Sequence, residues 1–337
     1  MRTAENAAET VWSIVYSGGN ASDVEDVGLG GLIHRWLGRP KPKEYCAFAG
    51  TRSVFQHTVD RAIKVSGWEQ VMAVVPHEHA RDAQSQLEGR GGCTLLTQPA
   101  YGTVMTASYQ ALTYIRALNP SATVVVYPSN HFVYPEHRFL HAVQRAVRAT
   151  EQFPDRLVFL GISPEDLRLD CGWIRLGEPL DESPPLTVSG VRSFLEHPTT
   201  AQADVALASG ALWNTSVCAA KIAVWWEAGR QCWPTMMARF DRLSETIGTL
   251  KGIHALDAVY RDMPVRNVST DLLRLAPQRL AVVEMSGVLW SDWSTPERIT
   301  NMLRRIGRQP AFPLTCLNQP FSPRTVVSTA DVVTATP

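Results

Sequence analysis

Short apolar runs that end in turn residues alternate with amphipathic segments along the first half of the chain. The clearest run, residues 124–126, is followed by Tyr-Pro and then by Ser129, Asn130 and His131, and residues 136–150 have a helical pattern. An unbroken run of β-branched residues is typical of a strand covered on both faces, as in a parallel sheet. Open α/β sheets bind ligands at the carboxyl ends of such strands, so these three polar residues are candidates for chemistry. They are also ordinary turn formers, which is the simpler interpretation of this segment taken alone.

The same alternation continues on both sides of this run. Ser53, with Gln56 three residues later, has the capping-box spacing that begins a helix. Alternating strands and helices predict a Rossmann-like, doubly wound α/β fold with a mostly parallel sheet. Further strands are predicted at 11–17, 71–76, 94–97 and 157–162, and a long helix is predicted to end near residue 118.

The pattern changes after residue 163. Strand-like segments at 171–174 and 188–196 flank an acidic, proline-rich loop and predict an antiparallel insertion. Near the end of the chain, Thr295 is a good helix N-cap with Pro296 at the first helical position. The tail at 318–337 is rich in Thr, Ser, Val and Pro, and we expect it to be disordered. Other predicted segments are strands at 211–216 and 280–285, and helices at 219–228, 234–246, 253–261 and 269–275.

Composition and charge limit the function classes. The 337 residues are 45% apolar and 19% charged, as in a soluble globular protein, and 32 basic residues balance 32 acidic ones. A balanced charge gives no indication of a nucleic-acid or membrane partner. The first ten residues contain Glu5 and Glu9 and no apolar core, which argues against a secretory signal. Six cysteines without a Cys-x-x-Cys pair are expected to be reduced thiols of a cytoplasmic protein.

The start of the chain carries candidate phosphate-binding chemistry. The first predicted strand ends at Gly18 and Gly19, a pattern found in turns whose backbone N–H groups approach an anion. Neither a P-loop nor a dinucleotide-binding glycine pattern is present, and residues 20–31 are predicted to form a flexible, acidic loop. The basic segment 35–43 is either a solvated loop or a means of bringing Lys43 to a phosphate.

Seven stretches, in order, resemble the sugar-1-phosphate nucleotidyltransferases, and in particular bacterial mannose-1-phosphate guanylyltransferases (GDP-mannose pyrophosphorylases). Most of them lie at predicted strand ends, and seven in order are specific where one would not be. The resemblance implies a nucleotidyltransferase fold of the GT-A type in a single domain, 1–317, with a nucleotide half at about 11–162 and a sugar half at about 163–307. The stretches are IVYSGG, RPKPKEYCAFAGTRSVFQHT, QPAYGT, VVVYPSNHF, CGWI, FLEHP with ALWNTSV, and VLWSDWSTPERI.

The family chemistry that the resemblance implies is one in-line displacement. The oxygen of a sugar-1-phosphate attacks the α-phosphorus of a nucleoside triphosphate, here GTP with mannose-1-phosphate, and pyrophosphate leaves. Such enzymes work by positioning and by neutralising charge, with Mg²⁺ held by carboxylates. Lys43 would hold the triphosphate, and Asp292 and Asn130 would be the catalytic metal ligands. Gly18, Gly19, Gln98, Gly102 and Thr103 would bind the nucleotide, and Gly172, Glu196, His197 and Asn214 would bind the sugar.

The chain departs from the family pattern at several charged positions. Asn130 stands where the family has a metal-binding aspartate, and His197 where it has a lysine for the sugar phosphate. The loop arginine is replaced by Asp23 or Gly28, and Glu44 follows the lysine in place of glutamine. An amide keeps the shape of a carboxylate but loses the charge that makes a good Mg²⁺ ligand. Losing one preorganised contact costs roughly 3–4 kcal/mol of transition-state stabilisation.

Two functions therefore remain open, and a third interpretation is structural. In the first, the protein is a working nucleotidyltransferase, with Arg35 or Arg39 replacing the missing arginine and His197 made cationic by a bound phosphate. In the second, it is a catalytically weak or inactive homologue that binds a nucleotide or NDP-sugar and regulates a partner. That partner would be an active homologue, and a homo-oligomer is also open. In the third, the matching residues serve only packing and turns.

Overall fold

A central mixed sheet with helices packed on both faces organises the chain. The computed structural model describes residues 10–17, 27–89, 91–99, 104–181, 187–247, 256–260 and 277–317. Eleven strands are described there: β1 Val11–Tyr16, β2 Val71–Pro76, β3 Thr94–Gln98, β4 Thr123–Pro128, β5 Phe132–Tyr134, β6 Leu157–Ile162, β7 Trp173–Asp181, β8 Val188–Leu195, β9 Leu212–Lys221, β10 Leu280–Glu284 and β11 Leu289–Ser291. The helices are α1 Val27–Leu37, α2 Val54–Ser66, α3 Ala80–Leu87, α4 Val104–Leu118, α5 Glu136–Gln152, α6 Thr200–Ala208, α7 Ile222–Cys232, α8 Pro234–Ser244 and α9 Pro296–Arg305.

The sheet topology confirms the predicted doubly wound fold. Nine strands lie in the order β3-β2-β1-β4-β9-β6-β10-β8-β7, and β11 and β5 form a separate antiparallel pair. Strands β1, β2, β3 and β4 pair in parallel, as do β6 and β10. The antiparallel β9 lies between β4 and β6, and β7 and β8 add the predicted antiparallel part. An extra pairing of β7 with β9 closes this end of the sheet on itself.

The two faces of the sheet explain the unbroken apolar runs. Every residue of β4 is buried. Val124 and Val126 belong to the core on one face, with α4, α7 and α8, whereas Val125 and Tyr127 belong to the core on the other face, with α2 and α5. A strand covered on both sides needs no polar alternation, and the buried strand ends bring Ser129 and its neighbours to one edge of the sheet.

Residues 27–37 form a helix, so the prediction of a flexible loop over 20–31 is wrong for its described part. Leu29, Leu32 and Ile33 of α1 are buried in a third apolar cluster, together with Ile299 and Leu303 of α9. Glycine disfavours a helix by about 1 kcal/mol per residue, but burial of an apolar face outweighs that cost. The loop prediction failed because this partner helix lies far away in the sequence.

Residues 219–221 are strand rather than the start of a helix. Ala219 and Ala220 continue β9 and pair with Val125 and Val124 of β4. Alanine favours helices in isolation, but backbone pairing inside the sheet decides here. The predicted helix therefore begins at Ile222. The predicted helix at 269–275 and the tail at 318–337 lie outside the described residues, as does part of the helix predicted at 253–261.

Two further observations concern the class of protein. Among the described residues, no helix is long and apolar enough to cross a membrane. All six cysteines are free thiols, and Cys46, Cys171 and Cys218 are buried.

The capping box of α2 gives a test of the fold. Ser53 Oγ accepts from Gln56 N at 3.1 Å and also donates to Gln86 Oε1 of α3 at 2.6 Å. We expect Ser53→Ala to lower the free energy of unfolding by about 1–2 kcal/mol in urea, because both contacts are lost. The matched variant is Thr199→Ala, which removes the capping box of α6 and whose hydroxyl is hydrogen-bonded, among the described residues, to Gln202 of the same helix. Its cost should be about 1 kcal/mol or less, and an equal or larger cost would contradict the role of Gln86.

Candidate active site

The candidate site lies at the edge of the sheet where β1, β4 and β6 end. Ser129 directly follows β4, is buried, and donates from its N–H to Tyr16 O at 3.0 Å. Asn130 is next, and its Oδ1 atom is buried without a hydrogen-bond partner among the described residues. Buried polar atoms in native proteins are nearly always satisfied, so an oxygen left open at a strand end marks a place for a ligand or water.

The short pair β5 and β11 brings the two predicted metal ligands together. Ser291 pairs with Phe132 in the antiparallel ladder, which places Asp292 beside His131 and one residue from Asn130. The ring of Trp293 stacks on Phe132 with a centroid distance of 4.5 Å and an interplanar angle of 8°. This stacking fixes the segment that carries Asp292 against the end of β4.

His131 is held neutral in the wall of the site. Its side chain is 7% exposed, and burial lowers its pKa to about 3, with Arg61, Lys43 and Arg168 adding to the shift and Asp292 opposing it. Arg61 Nη2 donates to His131 O at 3.0 Å. Burial lowers the pKa of Arg61 to about 10, so it keeps its charge at neutral pH. The charges of Lys43 and Asp292 therefore both act on His131.

Lys43 begins a short 3₁₀ turn, Lys43–Tyr45, whose last residue contacts α2 and α3. The Tyr45 ring packs on Phe55 of α2 at 5.4 Å, and Gln86 Nε2 donates to Tyr45 O at 3.0 Å. Lys43 forms no ion pair with any residue that the structure describes, whereas neighbouring Lys41 pairs with Asp82. Lys43 is therefore a cation on a turn held by packing, with no carboxylate partner among the described residues, and its role as a phosphate ligand stays a prediction.

Asp292 is bound into a ring of four alternating charges, which we call the Asp292 ring. Arg168 Nη2 lies 2.8 Å from Asp292 Oδ2, and Arg298 Nη1 lies 3.2 Å from the same atom. Asp170 closes the ring, at 3.4 Å from Arg168 Nε and 2.7 Å from Arg298 Nη2. Hydrogen bonds from Arg298 and the charge of Arg168 overcome burial and hold the pKa of Asp170 below its usual value. Both carboxylates are thus paired.

Arg168 is the most buried member of the Asp292 ring. Its side chain is 8% exposed and lies over the rings of Trp213 and Trp290, at 5.2 and 5.6 Å from the ring centroids. The backbone is fixed as well, because Trp173 Nε1 donates to Arg168 O at 2.8 Å. A guanidinium over aromatic faces gains roughly 0.5–2 kcal/mol from each cation–π contact. This arginine is therefore a permanent part of the site.

The donor set does not fit the expected Mg²⁺. Magnesium is held in proteins through carboxylate oxygens that carry net negative charge. Here Asn130 is a neutral amide, and the neighbouring carboxylate, Asp292, is already paired with two guanidinium groups. No group of three or more His, Cys, Asp or Glu side chains that could hold a metal exists in the described part of the chain.

The predicted sugar-binding residues converge at the neighbouring strand ends. Gly172 O accepts from Asn214 N at 2.7 Å, and a Cβ atom on Gly172 would lie 2.8 Å from Glu196 Oε1. The missing side chain of Gly172 therefore makes room for the carboxylate. Glu196 Oε1 is buried and has no hydrogen-bond partner among the described residues. Asn214 Oδ1 accepts from Ser216 N at 2.9 Å, which fixes the orientation of its amide.

The other predicted site residues have mixed outcomes. His197 follows Glu196, is exposed, and has a positive φ of 46°. Gln98 is 3% exposed, and its Nε2 atom donates to Thr106 and Tyr260 at 3.2 Å, so this amide group serves the core. Arg35 Nε donates to Cys316 O at 2.8 Å. Gly18, Gly19, Gly102 and Thr103 lie outside the described residues.

Three arginines of the site were missed by the sequence analysis. Arg61 lies on the helix capped by Ser53, and the residues around it predict only an amphipathic face. Arg168 lies in a segment without periodicity before Gly172. The proximity of Arg298 to Asp292, six residues apart around a helix start, was a usable signal, because first-turn residues can contact the preceding loop.

Comparison with known proteins gives one relative in sequence. No family model matches the chain. The alginate biosynthesis protein AlgA of Pseudomonas aeruginosa is 27% identical over 179 residues, which is 52% of this chain and 36% of that protein. The chain therefore spans about a third of the length of this curated relative.

Solved structures share the fold over most of the chain. Mannose-1-phosphate geranyltransferase from Thermus thermophilus has a TM-score of 0.71 at 21% identity, covering 89% of this chain and 80% of that one. Mannose-6-phosphate isomerase from Helicobacter pylori has a TM-score of 0.62 at 15% identity, covering 84% and 99%. A putative glucose-1-phosphate thymidylyltransferase from Bacillus anthracis has a TM-score of 0.52 at 14% identity, covering 93% and 98%. The chain thus has the Rossmann-like fold of the sugar-1-phosphate nucleotidyltransferases and resembles that family in sequence.

Proposed function

We propose that the protein binds the ligands of a sugar-1-phosphate nucleotidyltransferase at this site. The reaction would join a nucleoside triphosphate to a sugar-1-phosphate, giving an NDP-sugar and pyrophosphate, with GTP and mannose-1-phosphate as the pair to test first. In that reaction a bond forms between the sugar-phosphate oxygen and the α-phosphorus, and the bond from the α-phosphorus to the pyrophosphate oxygen breaks. The similarity to AlgA and the shared fold support this ligand class.

The observation that carries the proposal is the convergence of Gly172, Glu196 and Asn214. A buried carboxylate oxygen without a partner costs free energy in the empty protein, and a hydroxyl group of a ligand would recover it. A sugar offers adjacent hydroxyl groups that donate to one carboxylate. A site built to bind hydroxyl groups also discriminates well against ligands that lack them. This arrangement suits a sugar better than a purely packing role.

Lys43 supplies the positive charge for phosphate groups in this proposal. It is fixed by the turn that ends in the buried Tyr45, and its charge is felt by His131 at the end of β4. Phosphate groups of the nucleotide or of the sugar-1-phosphate would bind between Lys43 and the strand ends. Because phosphoryl-transfer enzymes act mainly by positioning and charge neutralisation, this lysine would serve both binding and transfer.

A second function is favoured by the metal-binding end of the site. Asn130 carries no charge, and Asp292 is paired with Arg168 and Arg298. A protein that keeps its sugar-binding residues and has lost its metal ligands would bind an NDP-sugar and turn it over slowly or not at all. Such a protein would act by binding, for example as a regulatory partner of an active homologue or within a homo-oligomer.

The two functions are separated by measuring turnover and binding on the same protein. Pyrophosphate release would be measured with GTP, ATP, UTP, CTP or dTTP, each combined with mannose-1-phosphate or glucose-1-phosphate. Every combination would be tested both in Mg²⁺ and in EDTA. Binding of the matching NDP-sugars would be measured by calorimetry. For the transferase, we expect release that Lys43→Ala lowers by ~10²–10³, since a preorganised charge is lost. The matched control is Lys41→Ala, whose lysine is paired with Asp82.

Each result of this experiment has a definite meaning. Turnover that depends on Lys43 and not on Lys41 establishes the transferase. NDP-sugar binding without turnover establishes the binding function. Absence of both, for every pair of ligands, contradicts the proposed ligand class.

Glu196 gives a test of the sugar site that does not require turnover. Burial raises the pKa of Glu196, and His197 partly opposes this. Folding therefore disfavours the charged carboxylate relative to the unfolded chain, so stability falls as the pH rises through the raised pKa. We expect Glu196→Gln to stabilise the empty protein against urea at neutral pH, with the gain vanishing below the ordinary glutamate pKa of about 4.3.

The same variant should bind the ligand more weakly. Loss of a charged acceptor costs on the order of tenfold in affinity for the NDP-sugar, measured by calorimetry at neutral pH. Glu178→Gln is the matched control, because Glu178 is an exposed carboxylate of β7. It should change neither the pH dependence of stability nor the affinity. Equal effects of the two variants would remove Glu196 from the sugar site.

A further inference from the structure

The charges around Asp292 sum to zero. The Asp292 ring contains two guanidinium groups, Arg168 and Arg298, and two carboxylates, Asp170 and Asp292, joined by four contacts of 2.7–3.4 Å. Asn130 at the neighbouring strand end adds an oxygen without charge. A divalent cation would enter a site that has no surplus of negative charge and would meet two fixed cations.

We propose that the two arginines have taken over the charge-balancing role of a divalent cation at Asp292, so that the protein binds its phosphate-bearing ligand without a metal. This inference rests on the proposed ligand class. It assigns Asp292 to holding Arg168 and Arg298 in place and assigns the phosphate contacts to Lys43. The expected metal-binding role of Asp292 and Asn130 is thereby replaced.

Because Arg168 is buried, replacing its pairing with Asp292 by a metal ion would cost free energy. Its guanidinium lies over Trp213 and Trp290, and it is 8% exposed, whereas Asp292 is 21% exposed. A metal that took Asp292 would leave this arginine in an apolar environment with its more exposed partner, Asp170, as its remaining carboxylate. An unpaired buried charge is strongly unfavourable. Metal binding would therefore have to overcome this cost before gaining any coordination.

Arg298 holds the ring from the opposite side. It contacts both carboxylates and also donates to Ser294 Oγ in the loop before α9. The ring thus joins the segment before β7 to the start of α9, two parts of the chain that are far apart in the sequence. Arg298 is more exposed than Arg168, at 27%, so its replacement perturbs packing less. It is the member of the ring to change in an experiment.

Direct metal binding to the full-length protein tests the inference. Mn²⁺ takes the same oxygen ligands as Mg²⁺, and its free form is measured by electron paramagnetic resonance. We expect Asp292 of the wild type not to bind Mn²⁺, so that the added Mn²⁺ stays free in solution. We expect Asn130→Asp combined with Arg298→Gln to bind it on the order of tenfold more tightly or better, since neighbouring groups change metal affinity by that much. The NDP-sugar affinity of the wild type should be the same in Mg²⁺ and in EDTA.

Asn130→Asp combined with Arg305→Gln is the matched control. Arg305 lies on the same helix and pairs with Glu165, so the formal charge change is identical while the Asp292 ring stays closed. Equal Mn²⁺ binding by the two double variants would overturn the proposal, as would Mn²⁺ binding by the wild type that Asp292→Asn abolishes. This wild-type comparison decides the question even if the double variant does not fold. NDP-sugar binding that EDTA abolishes would also overturn it, whereas absence of NDP-sugar binding in both buffers would contradict the ligand class alone.

Discussion

The pairing of β5 with β11 is the contact on which the candidate site depends. It places Asp292 beside His131, next to the end of the buried strand β4, and the stacked rings of Phe132 and Trp293 keep it there. The rigid body behind it is the sheet, because β4 is buried on both faces and cannot shift without disturbing two cores. These two constraints together fix the position of Asp292.

The carboxylates of Glu196 and Asp292 differ in whether they are paired with other groups. Gly172 leaves space for Glu196, whose Oε1 atom has no hydrogen-bond partner among the described residues. Asp292, in contrast, is paired with Arg168 and Arg298, and Asn130 beside it is neutral. A metal ion is an exchangeable charge that moves with the ligand, whereas guanidinium groups are fixed in the fold.

Ion pairs between arginine and aspartate in the Asp292 ring also hold the segments that carry them in one arrangement. The contacts of Arg168 with Trp213 and Trp290 are partly apolar, so the guanidinium is held by packing as much as by charge. Removing one partner of a buried pair is far more costly than never having had it. Replacement of Asn130 by aspartate alone would therefore leave the Asp292 ring closed. Activity and metal binding in this chain are expected to depend on two positions together.

The sequence by itself predicted the layered α/β fold, in part from apolar periodicity, which is a local property, and still more from the seven stretches that resemble the sugar-1-phosphate nucleotidyltransferases. The same resemblance marked Lys43, Gly172, Glu196 and Asn214. Only the tertiary structure decided that residues 27–37 form a helix and that 219–221 belong to β9, because burial and pairing across the fold outweighed local propensity. The ion pairing of Asp292 was likewise decided by the tertiary structure. Its charge is cancelled by Arg168, which is distant in sequence, and no local pattern contains the distance between two side chains on separate segments.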